Sequence, residues 1–384
     1  MDYIRVLKDL ISLDTSVPPG LNYEKAIDYL EPQFQAVGFE TEKVHIPSEH
    51  ADGNEGRVNL VAHRRDASKP RLIFYAHIDV VPAQGWPAFN PRVEQGKIYG
   101  RGAADMKGAV AALLLGLEAV ASKPLRYDAS IMITTDEETG QADQLRYLAP
   151  YLTPVSGAYF FNLDASFGYV GIAGLGTLQM DIRVKGKSVH SAMSHLGENA
   201  VEKASLLMTA LLDLKKKVVK RKSRTALHPG TGLSRMQARL NINMIQGGLK
   251  ANIVPDECLI TIDRRLVPEE DINEAREELI GTLSSVAGVT WEIEKEFAIP
   301  TVPPCKDPIV DELSAVLREV TGESGKFGEM GSGDLPSVAA EWGGKELSLG
   351  VIRPDANIHG KDEFVYQKDI EDLAAVISRF VATS

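Results

Sequence analysis

The first part of the chain alternates between short apolar runs and longer amphipathic segments. Strand-like apolar runs occupy residues 58–63, 71–77 and 129–135. Helical periodicity covers residues 23–37, and an apolar helix is predicted over residues 108–121. Strands that alternate with helices in this way predict an α/β layer built on a largely parallel, mixed sheet that is flanked by helices.

The order of the segments changes near residue 176. From there the pattern reads strand, helix, strand, strand, helix, strand, with the two helices over residues 199–220 and 269–287. This order is typical of the split β-α-β-β-α-β unit of ferredoxin-like domains. We therefore predict a second, smaller α+β domain.

Helical periodicity returns over residues 309–320 and 369–381, after a Pro-rich link. A chain of 384 residues also exceeds what one hydrophobic core usually supports. We predict a catalytic domain formed by residues 1–175 and 298–384, which the smaller domain interrupts over residues 176–297.

Composition and charge narrow the class of protein. The net charge of −11 disfavours a nucleic acid or an anionic membrane as partner, because both would be repelled. Cys258 and Cys305 are too few for a disulfide framework and fit a reducing compartment. The longest apolar stretch, residues 109–121, contains Glu118 and is too short to span a bilayer. A cytoplasmic enzyme that acts on a small molecule is the expectation.

Imidazole and carboxylate side chains follow the ends of several apolar runs. They are His77, Asp79, Asp105, Glu137, Glu138, Asp164 and His359. Each alone has an ordinary explanation as a core histidine, a helix N-cap or a turn residue. Because chemistry in parallel sheets gathers beyond the carboxyl ends of the strands, the set as a whole predicts one site.

Such a cluster has the ligand types that a pair of divalent ions needs. Zinc accepts histidine nitrogen and carboxylate oxygen, and two ions about 3.5–4 Å apart can share a bridging carboxylate and a water. Their positive charge would also offset the repulsion between neighbouring acidic residues. We expect two divalent ions, Zn²⁺ first, with Co²⁺ or Mn²⁺ as alternatives.

Several segments together resemble the zinc-dependent aminoacylase/carboxypeptidase family. This family includes acetylornithine deacetylase, succinyl-diaminopimelate desuccinylase, carboxypeptidases and dipeptidases. The segments are HIDVVP, GRGAADMKG, TTDEETG, KGKSVHSAMSHLGENAV, ANIVPDECLITIDRRLVP and NIHGKDE, in this order. The GxG within GRGAAD does not predict a nucleotide loop, because Asp105 and Lys107 follow in place of a third glycine.

The resemblance implies a set of metal ligands. His77 and Asp164 would bind one ion, and Glu138 and His359 the other. Asp105 would bridge the two ions, and the peptide bond after it is expected to be cis.

The resemblance also implies hydrolysis of an amide bond by a metal-activated water. Glu137 would be the general base, and Asp79 would hydrogen-bond the far nitrogen of His77.

The resemblance implies substrate contacts at His190, Asn252 and Arg265 in the inserted domain, and at Gly331 and Ser332 in the part of the catalytic domain that follows it. Arg265 would bind a substrate carboxylate through its guanidinium fork. His190 would reach the active site of a partner subunit and stabilise the oxyanion. A homodimer through the inserted domain is therefore expected.

The resemblance leaves the substrate open. Deacylation of N-acyl amino acids is the first expectation, and hydrolysis of dipeptides or of C-terminal residues is the alternative. Asp164 favours the alternative, because aspartate at this position resembles the peptidase members, whereas the deacylases typically have glutamate. Gly333 also stands where the deacylases more often have a hydroxyl residue. An inactive metal-binding paralogue is a remote alternative.

Overall fold

The computed structural model describes residues 1–331 and 333–383. These residues form two compact units. Unit 1 comprises residues 1–172, 305–327 and 333–383, and unit 2 comprises residues 173–304 and 328–331. The functional division into a catalytic and an inserted lid or dimerisation domain remains our proposal.

Helices and strands are distributed over the whole of the described chain. The helices are α1 (Tyr3–Ser12), α2 (Tyr23–Ala36), α3 (Gly108–Glu118), α4 (Ala142–Leu152), α5 (Ala200–Val218), α6 (Ile272–Ser284), α7 (Pro308–Thr321), α8 (Leu335–Glu341) and α9 (Gln367–Val381). The strands are β1 (Glu40–Ile46), β2 (Arg57–Arg64), β3 (Arg71–His77), β4 (Arg92–Glu94), β5 (Lys97–Tyr99), β6 (Asp128–Thr134), β7 (Tyr159–Asn162), β8 (Val170–Gly174), β9 (Gly176–Lys185), β10 (Val189–His190), β11 (Lys222–Ala226), β12 (Arg235–Gln237), β13 (Arg239–Gly247), β14 (Ile253–Val254), β15 (Glu257–Leu266), β16 (Thr290–Ile299), β17 (Lys326–Glu329), β18 (Lys345–Ser348) and β19 (Phe364–Tyr366).

The main sheet of unit 1 is mixed, with parallel strands at its centre. Its strand order is β1-β2-β6-β3-β7-β18-β8-β17. Strand β3 runs parallel to β6 and β7, and β7 runs parallel to β18. The carboxyl ends of these four strands therefore meet at one edge. Every residue of β3 and β6 is buried, as expected for strands that are covered on both faces.

Alternate residues of β3 pack into different cores because side chains on a strand alternate between its two faces. Leu72 and Phe74 join a cluster with residues of α1, α2, α3, α7 and α9. Ile73 and Tyr75 join a second cluster with residues of α4 and α8. The sheet is thus flanked by helices on both faces.

Unit 2 contains a four-stranded antiparallel sheet in the order β13-β15-β9-β16. Residues at helical spacing on α5, such as Leu207, Leu211 and Leu214, pack into a core with this sheet and α6. The order β9-α5-β13-β15-α6-β16 is the predicted β-α-β-β-α-β unit. The predicted fold class is confirmed.

None of the helices in the described part of the chain has the length and hydropathy that crossing a membrane requires.

Candidate metal centre

The parallel strands of unit 1 bring the predicted ligands to one edge of the sheet. His77 is the last residue of β3 and lies opposite Thr134, the last residue of β6. Glu137 and Glu138 follow β6 in a short helical turn, and Asp164 follows β7 by two residues. Neighbouring strands that run in the same direction therefore deliver these groups together.

Three of these side chains form a first candidate group. The ligand atoms of His77, Glu137 and Asp164 all lie within 4.8 Å of one another. Nε2 of His77 lies 3.9 Å from Oε2 of Glu137 and 4.0 Å from Oδ2 of Asp164. His77 is fully buried, whereas the two carboxylates remain partly exposed.

A second candidate group lies beside the first. It consists of Asp105, Glu138 and His359, whose ligand atoms also all lie within 4.8 Å of one another. Nε2 of His359 lies 3.0 Å from Oδ2 of Asp105 and 3.1 Å from Oε2 of Glu138. The other oxygen of Asp105, Oδ1, lies 3.4 Å from Nε2 of His77. Asp105 therefore directs one oxygen at each group.

The charges of the cluster strongly affect its histidines and Glu137. Burial alone would lower the pKa of His77, but Asp79, Asp105 and Glu137 together raise that pKa well above its usual value. Hydrogen bonds to Asp105 and Glu138 raise the pKa of His359 to about 10. Burial raises the pKa of Glu137 well above its usual value, and the neighbouring carboxylates add to this. The cluster is thus a strong binding site for positive charge.

The residues present fit a pair of divalent cations. Two imidazoles and four carboxylates are a donor set that zinc accepts. Nε2 of His77 and Oε1 of Glu138 are buried without a hydrogen-bond partner in the part of the chain that the structure describes. Buried polar atoms usually have a partner, so these two are suited to a metal ion.

Asp79 is fully buried and contacts one residue of each candidate group, His77 and Glu138. Its Oδ1 lies 3.4 Å from Nδ1 of His77, and its backbone oxygen lies 3.2 Å from the same nitrogen. Its Oδ2 accepts the backbone N–H of Glu138 at 3.0 Å. Within the described residues, the hydrogen bond to His77 comes from the backbone oxygen of Asp79, and Oδ1 has no hydrogen-bond partner, so the predicted side-chain hydrogen bond stays a prediction. Asp79 also holds the turn of Glu138, which the sequence did not indicate.

The loop that carries Asp105 is held by a residue that sequence reasoning missed. Glu363 is fully buried, and its Oε1 accepts the backbone N–H groups of Ala104 at 3.0 Å and of Asp105 at 3.1 Å. Its Oε2 accepts the N–H of Gly102 at 3.1 Å and forms an ion pair with Arg101. The Asp105–Met106 peptide bond is cis, as expected. In the sequence, Glu363 follows Asp362 and resembles an ordinary acidic turn, so no local signal marks it.

The predicted substrate residues that the structure describes lie in unit 2. His190 ends β10 and lies opposite Ile253 of β14, directly after Asn252. The backbone oxygen of Asn252 accepts the N–H of Ser191 at 3.0 Å, so the structure brings His190 and Asn252 together. Gly331 is exposed. Ser332 lies outside the described residues.

Arg265 lies on β15, which belongs to a different sheet from the β10–β14 pair. Its Nε donates to Oδ1 of Asp263 at 2.9 Å, and its Nη1 donates to Oγ1 of Thr177 at 2.8 Å. The side chain keeps 31% exposure, whereas that of neighbouring Arg264 is fully buried against Glu270. This contrast agrees with a structural role for Arg264, and the role of Arg265 stays a prediction.

Comparisons with known proteins agree with this geometry. Residues 73–383 match the model of peptidase family M20/M25/M40. The chain is 29% identical to a succinyl-diaminopimelate desuccinylase of Alkalilimnicola ehrlichii, over 90% of each chain. It is 26% identical to a protein of the same name from Corynebacterium glutamicum, over 84% of each.

Solved structures show the same fold at lower sequence identity. An M20 family metallo-carboxypeptidase of Sulfolobus solfataricus superposes with a TM-score of 0.80 at 17% identity, over 99% of this chain and 98% of that one. A tripeptidase of Staphylococcus aureus gives 0.76 at 21%, over 99% and 96%. The family match over most of the chain and the two adjacent metal-binding groups together confirm the resemblance: the chain belongs to peptidase family M20/M25/M40 and is a metallohydrolase that acts on C–N bonds.

Proposed function

We propose that this protein removes the acyl group from an N-acyl amino acid, and that N-succinyl-diaminopimelate is the first substrate to test. The observation that carries the proposal is the similarity to desuccinylases along nearly the whole chain, at 29% identity. Hydrolysis of short peptides is the second candidate. It is supported by Asp164 and by structural neighbours that include a tripeptidase and a metallo-carboxypeptidase.

We assign the metal ligands as the resemblance implies. His77 and Asp164 would hold one ion, Glu138 and His359 the other, and Asp105 would hold both. The position of Asp105 supports this assignment, because its two oxygens face different groups. When bound, two such ions polarise a carbonyl oxygen and lower the pKa of water to about neutrality.

Glu137 is assigned as the general base. Its side chain keeps 15% exposure next to buried His77, so a water molecule can reach it. The carboxylate takes a proton from the attacking water and returns it to the leaving amine. Asp79 keeps the ring of His77 and the turn of Glu138 in place while this proton moves.

The inserted domain is assigned the recognition of the substrate. Arg265 binds the substrate carboxylate, and its partly exposed guanidinium supports this. His190 donates to the carbonyl oxygen of a substrate in a partner subunit, so we also propose a homodimer. Sedimentation of the purified protein at several concentrations tests the dimer.

The function is tested by a substrate panel with the protein loaded with Zn²⁺, Co²⁺ or Mn²⁺ in turn. The panel contains N-succinyl-diaminopimelate, N-acetylornithine and a set of di- and tripeptides. Glu137→Gln should keep its metal and lose about 10²- to 10⁴-fold in turnover, because only the proton acceptor is removed. Glu94→Gln, at an exposed strand position, is the control and should keep full turnover.

The outcomes separate the candidates. Cleavage of peptides without cleavage of acyl amino acids would replace the deacylase proposal with a peptidase. A zinc-loaded protein that cleaves nothing in the panel would favour the inactive paralogue. Near-normal turnover by Glu137→Gln would remove Glu137 from the mechanism.

A further inference from the structure

The first carboxylate of the Asp136-Glu137-Glu138 run contacts a different set of side chains from the other two. Asp136 is buried, with 2% exposure, and belongs to neither candidate metal group. Its Oδ1 accepts the hydroxyl of Tyr23 at 2.7 Å. Its Oδ2 accepts Nε of Arg57 at 2.7 Å and Nε2 of Gln144 at 2.9 Å. Both oxygens of Asp136 thus accept hydrogen bonds from side chains outside the candidate metal groups.

The three donors are buried and come from three different elements. Tyr23 begins α2, Arg57 begins β2, and Gln144 lies on α4. The guanidinium of Arg57 is itself held, because it donates to the backbone oxygens of Glu55 at 2.9 Å and Pro19 at 2.8 Å. Asp136 is therefore fixed to a rigid frame and not to one flexible partner.

The backbone conformation of Asp136 sets the direction of the turn that carries Glu137 and Glu138. Its φ of +67° lies in the left-handed region, which non-glycine residues adopt only when their surroundings favour it. The backbone oxygen of Asp136 accepts the N–H of Thr139 at 3.2 Å and so closes the turn that carries Glu137 and Glu138. A change in this one conformation would redirect both glutamates.

We propose that Asp136 and Arg57 form a positioning pair, which fixes the turn of Glu137 and Glu138 and thereby holds one metal ligand and the general base in register. This rests on the proposed function for Glu137, whereas the effect on Glu138 rests on metal binding alone. Asp136 itself touches neither substrate nor metal. Its action is through the two residues that follow it.

The same strand offers a matched control. Asp128 begins β6, is 3% exposed, and accepts Nε of Arg65 at 2.9 Å. It is thus a buried aspartate in an arginine pair, like Asp136. However, it lies at the opposite end of β6, about 20 Å from Thr134 at roughly 3.3 Å per residue. Loss of Asp128 should destabilise the fold without reaching the metal centre.

The test compares Asp136→Asn, Asp128→Asn and wild type as zinc-loaded proteins. For Asp136→Asn we expect kcat to fall about 10- to 100-fold with little change in KM, because a residue that supports ligands is lost. In competition with graded chelator, this variant should release one of two zinc ions at about 10- to 100-fold lower chelator concentration. Asp128→Asn should match wild type in kcat and zinc retention, although its denaturation midpoint also falls.

A milder variant keeps the test valid if Asp136→Asn does not fold. Tyr23→Phe removes only the hydrogen bond to Oδ1 and keeps every charge, so we expect a smaller loss of the same two properties. Wild-type kcat and zinc retention in both variants, or equal losses in Asp128→Asn, would overturn the proposal. If wild type cleaves no substrate, the proposed function fails, but zinc retention still decides on the positioning pair.

Discussion

Glu363→Gln is the change that most directly tests how the metal-binding loop is held. The glutamate accepts backbone N–H groups of Gly102, Ala104 and Asp105, and it pairs with Arg101. Glutamine has the same shape but only one acceptor oxygen. Its amide nitrogen must face either the Ala104 and Asp105 N–H groups or the Gly102 N–H and Arg101. In either orientation the amide NH₂ group of the glutamine faces N–H groups of the loop or of Arg101, so hydrogen bonds are lost.

The magnitude follows from the burial of the pair. The side chains of Glu363 and Arg101 are 0% and 3% exposed, so water cannot replace the lost partner. Removing one member of a buried ion pair destabilises by about 3–5 kcal/mol, because the other charge stays buried and unpaired. Arg101 keeps its bond from Nη2 to the oxygen of Gly360, at 3.2 Å, and its Cζ lies 5.8 Å from the centroid of the Trp86 ring, but neither contact replaces the lost carboxylate charge. Against a total stability of about 5–15 kcal/mol, this is a large loss.

The assay is urea denaturation in the presence of a chelator, so that weaker metal binding does not contribute to the shift. Glu312→Gln is the control, since Glu312 forms an ion pair with Arg126 in which both side chains are more than a third exposed. Such exposed pairs contribute about 0–1 kcal/mol. The double variant Glu363→Gln with Arg101→Met should lose less than the sum of the single losses. A shift as small as that of Glu312→Gln, or additive losses in the double variant, would refute the reasoning.

Three further predictions concern other parts of unit 1. A Cβ at Gly333 would lie 3.2 Å from Oε1 of Glu137, so Gly333→Ala should lower kcat up to about 10-fold without a change in melting temperature; unchanged kcat would contradict this. Zinc at a hundred times its Kd should stabilise the fold by about 2.7 kcal/mol, which should appear as a melting temperature that rises with zinc concentration. A melting temperature that does not change with zinc concentration would argue against the site. Burial, with help from Arg71 and Arg65, lowers the pKa of His63, so the unfolded chain takes up a proton more readily below about pH 6.5. Stability should therefore fall as the pH drops from 6.5 through the folded pKa, and it should fall less in His63→Gln; equal slopes in urea denaturation would contradict this.

The convergence of the ligands could be predicted because it depends on local pattern and a general rule. The apolar run at residues 71–77 coincides with β3, and its last residue is His77. Parallel neighbours of β3 then place Glu137, Glu138 and Asp164 at the same edge. No long-range contact had to be known, because the direction of the strands alone decides the outcome.

The supports of the ligands could not be predicted, because they depend on pairs far apart in the chain. Arg57 is 79 residues from Asp136, and Glu363 is 258 residues from the N–H of Asp105 that it accepts. A similar limit applies in unit 2, where the sequence MQARLNINMIQGG over residues 236–248 predicts one continuous strand. The structure divides it into β12 and β13, because the N–H of Ala238 bonds to the oxygen of Arg221 and β12 pairs with β11.

The three adjacent carboxylates after β6 are compatible with burial because two different kinds of cation compensate them. The candidate groups contain four carboxylates, whose ionised charge equals that of two divalent ions. Asp136 belongs to neither group, and an uncompensated buried charge is strongly destabilising. Arg57, which is fixed in the protein, compensates Asp136 instead. The acidic run therefore has two parts. Asp136 forms a permanent ion pair with Arg57, which can hold the turn in the absence of metal. The charges of Glu137 and Glu138 are available to the metal ions.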